Sequence, residues 1–242
     1  MISLQLFSLK KNNDALPLAE QLKKIAQIGY GGVEFFIKYE GMSAKDVRAE
    51  LDKNSIRAVG SHTGLNPLRA NLQGEIEYNL EIGSKYIVVP SSQIKTREDT
   101  LALAEELNKI GEACAKQGLS TGYHNHAFEF VKDGDEYLLD ILFANTDPAL
   151  VKAEIDVYWV KFAGADPMAY LEKYKDRLPL IHFKEIDNTA AKENVTIGRG
   201  IIDFKTIMQT YPNSEFIVEQ EGLETDYNIW DSLKESYDFL AK

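Results

Sequence analysis

The residues with the most chemical capacity in this chain are its four histidines, His62, His124, His126 and His182, together with Glu34, Glu129, Asp156, Glu219, Glu221 and Lys184. Each lies in or just after a short run rich in β-branched and aromatic residues. Alternate side chains of a strand share a face, so His124 and His126 point one way if the strand persists, as do His182 and Lys184, and Glu219 and Glu221. Taken singly, these groups have ordinary explanations: a hydrogen-bonded core histidine, or a carboxylate meeting a lysine or an amide. Taken together, two or three carboxylates with one or two imidazoles suit a divalent transition metal better than Ca²⁺, which prefers oxygen ligands alone. A dication would also compensate carboxylates in a low-dielectric setting. Lys184 would then be a cation beside a metal, either bridged to Glu185 or Glu219 or holding a substrate oxygen and stabilising an enolate.

What must position these groups is a set of strands alternating with helices along the whole length. The strand candidates are Ile2–Leu9, Gly32–Phe36, Ile56–His62, Tyr86–Pro90, Ser120–His124, Val151–Asp156, Leu180–Lys184 and Phe216–Glu221. The helix candidates are Pro17–Ile28, Ala44–Asn54, Leu68–Ile82, Arg97–Gln117, Glu136–Ala144, Pro167–Lys175, Asp203–Gln209 and Tyr227–Leu240. Ser43 reads as an N-cap, Asp166-Pro167 as a cap followed by proline in the first turn, and Gln117-Gly118 as a helix end. Eight βα units imply an α/β fold with a parallel sheet closed into a (β/α)8 TIM barrel, a single domain over 1–242. An open doubly wound sheet would announce itself by a Gly-rich turn after the first strand, and Ser8-Leu9-Lys10-Lys11-Asn12 is no such turn. In such a barrel, chemistry sits at the C-terminal ends of the strands, and all four histidines fall there.

Composition narrows the partners. The chain has 242 residues, one cysteine, 27 Lys plus Arg against 38 Asp plus Glu, and a net charge of −11. Cys114 alone can form no internal disulfide or multi-cysteine zinc cluster, which favours a reducing compartment. The acidic balance opposes nucleic acid, whose phosphates require a basic footprint. No signal peptide is visible after Met1, and no apolar run approaches the ~20 residues that span a bilayer. A soluble, cytoplasmic protein with no membrane partner is expected.

The ordered set of motifs resembles the xylose isomerase-like TIM barrel superfamily of sugar phosphate isomerases and epimerases, which also holds inosose dehydratases, dehydroshikimate dehydratases and AP endonucleases of family 2. Its carriers are Gly32-Val33-Glu34-Phe35, Gly60-Ser61-His62-Thr63-Gly64-Leu65, Tyr123-His124-Asn125-His126 ending in Glu129-Phe130, Glu154-Ile155-Asp156-Val157-Tyr158-Trp159, Ile181-His182-Phe183-Lys184-Glu185, Gly198-Arg199-Gly200 and Ile217-Val218-Glu219-Gln220-Glu221. The Tyr-His-Asn-His segment is the most specific.

The resemblance implies one divalent ion, Mn²⁺, Co²⁺, Zn²⁺, Fe²⁺ or Mg²⁺, held by a Glu-Asp-His-Glu set from the fifth to eighth strands. Asp156, His182 and Glu219 carry over directly. The fifth-strand glutamate does not, because His124 stands in its place; either His124 is the fourth ligand or Glu129 folds back to supply it. Glu129 restores the usual charge and is preferred, leaving His124 or His126 for acid/base work. Glu219 or a histidine would be the base, Lys184 the enolate stabiliser, and Glu34, His62, His126, Trp159 and Arg199 substrate-shaping residues. Trp159 serves equally as barrel packing.

The implied chemistry is proton abstraction next to a carbonyl with a metal-stabilised enediolate. A sugar isomerase or epimerase leads, with a lyase or dehydratase of a keto-sugar, 3-keto-glycoside or inosose as the alternative. An endonuclease would need more histidines than four, and a sugar-binding barrel without catalysis would hold no metal. Relatives often form dimers or tetramers, so a homo-oligomer is compatible with the resemblance.

Overall fold

The computed structural model describes residues 1–36, 41–221 and 227–242. Eight parallel strands follow one another around a closed barrel, as the alternation of elements implies. They are β1 (Ile2–Gln5), β2 (Gly32–Phe36), β3 (Arg57–His62), β4 (Tyr86–Val89), β5 (Ser120–His124), β6 (Val151–Asp156), β7 (Leu180–Phe183) and β8 (Glu215–Val218). β1 pairs with both β2 and β8, which closes the ring. This is the expected TIM barrel.

The surrounding helices are α1 (Phe7–Lys11), α2 (Leu18–Ile28), α3 (Ala44–Asn54), α4 (Leu65–Ile82), α5 (Arg97–Ala115), α6 (Leu138–Ala144), α7 (Val157–Phe162), α8 (Pro167–Tyr174), α9 (Phe204–Thr210) and α10 (Ile229–Leu240). Several starts are fixed by side chains that satisfy otherwise unpaired amides. Ser43 accepts from Asp46 N, Thr96 and Asp99 form a reciprocal capping box, and Asp166 caps Met168 N ahead of α8. Gly118, at φ +84°, takes the left-handed turn after α5.

Several bounds differ from the sequence reading, among them the eighth strand, which ends at Val218 so that Glu219 and Glu221 lie beyond it, and two elements differ in kind. The first strand stops at Gln5 because Leu6 already has helical torsions (φ −66°, ψ −16°), and Phe7–Lys11 coils as α1 with Ser8 and Leu9 buried. A short apolar run does not distinguish a strand from one buried helical turn. α7, which the sequence reading lacks, begins directly at the end of β6, where Asp156 accepts from Tyr158 N and Trp159 N.

Outward-facing strand residues and the inner faces of the helices form the main apolar core. Inside the barrel a smaller apolar plug of Val59, Val88, Leu180 and Ile217 packs against Tyr86. Leu180 precedes His182 by two residues on β7, so the interior turns from apolar to polar in one strand step. No helix among the described residues is long and apolar enough to cross a membrane.

Candidate metal centre

Strand register brings the polar residues into neighbouring pairs: Gln5 beside Glu34, His124 beside Glu154, and Asp156 beside His182. A register shift between β2 and β3 sets Glu34 against Gly60, where a Cβ would meet Glu34 Oε1 at 2.8 Å. Glycine is what leaves room for that carboxylate.

Two buried clusters result, and they share His124 and His182. In the outer one the donor atoms of His124, Asp156, His182 and Glu219 all lie within 4.8 Å of one another. His182 Nδ1 is 3.1 Å from Glu219 Oε2, and His124 Nε2 is 3.9 Å from Asp156 Oδ2. In the inner one, Glu154 Oε2 lies 2.6 Å from His62 Nε2, 3.1 Å from His124 Nδ1 and 3.4 Å from His182 Nε2. Glu34 Oε2 joins it, 2.7 Å from His182 Nε2 and 3.2 Å from His62 Nε2, and accepts from Gln5 Nε2 at 2.7 Å.

The outer donor set fits a divalent ion. Asp156 spends Oδ1 on the cap of α7, while its Oδ2 is buried with no hydrogen-bond partner. Burial pushes the Asp156 carboxyl up to about 7 despite the nearby Lys184 and His182 charges. Once ionised, a buried carboxylate oxygen of this kind needs a cation. Burial and its imidazole neighbours hold His124 well below the usual histidine range, so it is a neutral imidazole with a lone pair to offer.

His182 differs. Against burial, Glu154 and Glu34 hold it well above the usual range, so without a metal it carries a proton. Burial also pushes Glu154 up, to about 7, with the Glu34 charge adding to it. Glu34 is held low against burial by His62 and His182.

Above the clusters lies a rim of cation and aromatic groups. Lys184 is buried, donates to Glu221 Oε1 at 2.6 Å, and sits 4.6 Å from the Trp159 ring and 4.9 Å from the Tyr158 ring. Burial disfavours its charge, but Glu219, Asp156 and Glu221 outweigh that and keep it an ammonium. His126 packs between Phe128 and Trp159, with ring centroids 5.5 and 5.3 Å away. Burial pushes it down to about 4, and its Nδ1 has no partner.

The Xylose isomerase-like TIM barrel family model matches residues 22–241. The chain belongs to that family. An inosose dehydratase of Geobacillus kaustophilus is 26% identical over 86% of this chain and 77% of its own length. One from Lacticaseibacillus casei is 28% identical over 58% of this chain, a match that spans 45% of that protein. A solved sugar phosphate isomerase/epimerase of Parabacteroides distasonis superposes with a TM-score of 0.86 at 22% identity, covering 100% of this chain and 97% of that one.

Within this xylose isomerase-like barrel, the structure gathers His124, Asp156, His182 and Glu219 and places Glu129 elsewhere. Glu129 sits in a short 3₁₀ turn (Phe128–Phe130), where it accepts from the Tyr123 hydroxyl and from His126 N, both at 2.8 Å. Tyr123 and His124 point to opposite sides of β5, so bonding Tyr123 takes Glu129 behind the strand. Arg199 is also apart from the cluster. It is exposed and donates to Glu235 of α10 and to the Tyr227 hydroxyl. The amides of its turn are engaged by the buried Glu185 carboxylate, which accepts from Ile186, Gly198, Ile201 and Ile202.

Glu34 and His62 lie beneath the outer set, and Trp159, Lys184 and His126 at its mouth. Three contributors had no role in the sequence reading: Glu154, Gln5 and Asn125, whose side-chain oxygen accepts from Asp156 N at 3.1 Å. For Glu154 a signal existed, since it stands two residues before Asp156 on the same strand face.

Proposed function

We propose that this chain is a divalent-metal-dependent lyase that removes water from a keto-cyclitol or related keto-sugar. The observation that carries this reading is the buried His124–Asp156–His182–Glu219 set in a chain that is similar over most of its length to an inosose dehydratase. The sugar isomerase or epimerase expected from the sequence uses the same set, but the dehydratase relatives favour elimination.

A bound dication would act as a Lewis acid on the substrate carbonyl and stabilise the negative charge that develops there. His126, neutral and with Nδ1 unpartnered, accepts the proton from the carbon next to that carbonyl. The Lys184 ammonium donates to the departing hydroxyl on the next carbon, and Glu221 holds it in place. One C–H and one C–OH bond break and a C=C bond conjugated to the carbonyl forms; the hydroxyl leaves as water with the Lys184 proton, and the proton taken up by His126 passes through solvent to restore the Lys184 ammonium. Trp159 touches both Lys184 and His126 and offers a flat face to the ring between them. The amides around Gly198-Arg199-Gly200 are engaged by Glu185, which supports an unphosphorylated substrate.

The test is incubation of Mn²⁺- or Co²⁺-loaded protein with an inosose in D₂O. Loss of water to an unsaturated or diketone product, seen by ultraviolet absorbance and mass, supports the reading. Deuterium entering an intact ring or sugar restores the epimerase instead.

A further inference from the structure

The inner cluster has a geometry that the reaction above does not use. Each imidazole of the outer set has its second nitrogen against a buried carboxylate: His124 Nδ1 is 3.1 Å from Glu154 Oε2, and His182 Nε2 is 2.7 Å from Glu34 Oε2. The two carboxylates are themselves clamped by His62, whose Nε2 lies 2.6 Å from Glu154 and 3.2 Å from Glu34. Gln5 adds a further donor to Glu34. Glu34, Glu154 and His182 are fully buried, and Asn125, just past the end of the neighbouring β5, fixes the backbone at Asp156.

A neutral imidazole has one lone pair and one N–H. If His124 Nε2 and His182 Nδ1 offer lone pairs to the outer set, the protons must sit on the nitrogens that face Glu154 and Glu34. The same two histidines cannot, as neutral rings, also ligate an ion in the inner cluster. Both clusters keep an unpartnered carboxylate oxygen, Asp156 Oδ2 in the outer and Glu34 Oε1 and Glu154 Oε1 in the inner, but in the inner one the Oε2 atoms of Glu154 and Glu34 between them already lie within 2.6–3.1 Å of all three imidazoles, at hydrogen-bond distance.

We propose that Glu154 and Glu34 are positioning residues that fix the tautomers of His124 and His182, and that His62 holds the two carboxylates in register to do so. This rests on the metal reading above. Carboxylates behind ligating imidazoles orient the ring and raise its basicity, and their loss typically weakens metal binding 10–100-fold. Strengthened imidazoles also favour a transition ion such as Co²⁺ or Zn²⁺ over Mg²⁺.

The test is Co²⁺ binding to the full chain by chelator competition, with the visible absorption of the bound ion as the second readout. Wild type should take one equivalent. Glu154→Leu should still take one equivalent, about 10–100-fold more weakly and with an altered spectrum, and Glu154→Gln, which keeps an acceptor, should recover part of both. Circular dichroism of the metal-free variants checks that they fold, and the Gln variant keeps the test open if Leu does not. Unchanged affinity and spectrum in Glu154→Leu and Glu34→Leu would overturn the proposal. So would two equivalents in wild type with one lost in His62→Ala, because the inner cluster would then ligate and not orient. Failure of the underlying metal reading looks different: wild type binds no Co²⁺, or Asp156→Asn binds it unchanged.

Discussion

His124 and Glu129 are five residues apart and leave β5 on opposite sides, one toward the barrel axis and one toward Tyr123. That separation decides which of them can meet Asp156, His182 and Glu219. His124→Ala should therefore weaken metal binding at least tenfold, whereas Glu129→Gln should leave it within about threefold, as measured by chelator competition. The reverse pattern would return Glu129 to the ligand set. The sequence could not separate these residues, because a charge count favours Glu129 while the deciding fact is a turn of chain after His124. Asn125 and Ala127 begin that turn without a strong punctuating residue, and the Tyr123 hydroxyl that captures Glu129 points out of the opposite face. Alternation along β6, by contrast, does place Glu154 with Asp156.

At the scale of elements, Asp156 joins two of them in one residue. It ends β6 and caps α7, so no loop separates strand from helix. This is why α7 was not legible: Val157-Tyr158-Trp159-Val160 is as β-branched and aromatic as a strand, and its start signal lies inside the preceding element. Where punctuation stands between elements, the bounds were readable, as for Gly32–Phe36, Ala44–Asn54 behind Ser43, and Ser120–His124. The double role of Asp156 separates by substitution. Asparagine keeps a capping oxygen and alanine does not, so in chelator Asp156→Ala should be less stable than Asp156→Asn by about 1 kcal/mol in urea unfolding. Both should lose metal binding at least tenfold. Equal stability of the two variants would mean that the cap contributes nothing.

For the whole molecule, the polar interior makes the metal-free barrel sensitive to pH with a definite sign. Burial pushes the Glu129, Glu154 and Asp156 carboxyls up to about 7, so the folded chain holds protons that the unfolded chain releases near pH 4. His62 and His182 are also raised, with burial opposing and carboxylates prevailing. For all five groups the folded state binds more protons, so each contributes stability that is lost as pH rises through its folded value. His124 and His126 are lowered and act in the opposite sense, but chiefly below their unfolded value near 6.5. Between about pH 6.5 and pH 8 the first set dominates. Metal-free protein in chelator should lose on the order of 2 kcal/mol across that window, roughly 4–8 °C in Tm for a chain of this size. A divalent ion requires the same ligands deprotonated, so the Tm increment on adding Co²⁺ should grow over the window in which the metal-free Tm falls. Calorimetry at matched ionic strength reads both curves. A metal-free Tm that rises from pH 6.5 to pH 8 would mean that the folded barrel binds fewer protons than the unfolded chain there, so that the buried carboxylates are already ionised in the metal-free barrel.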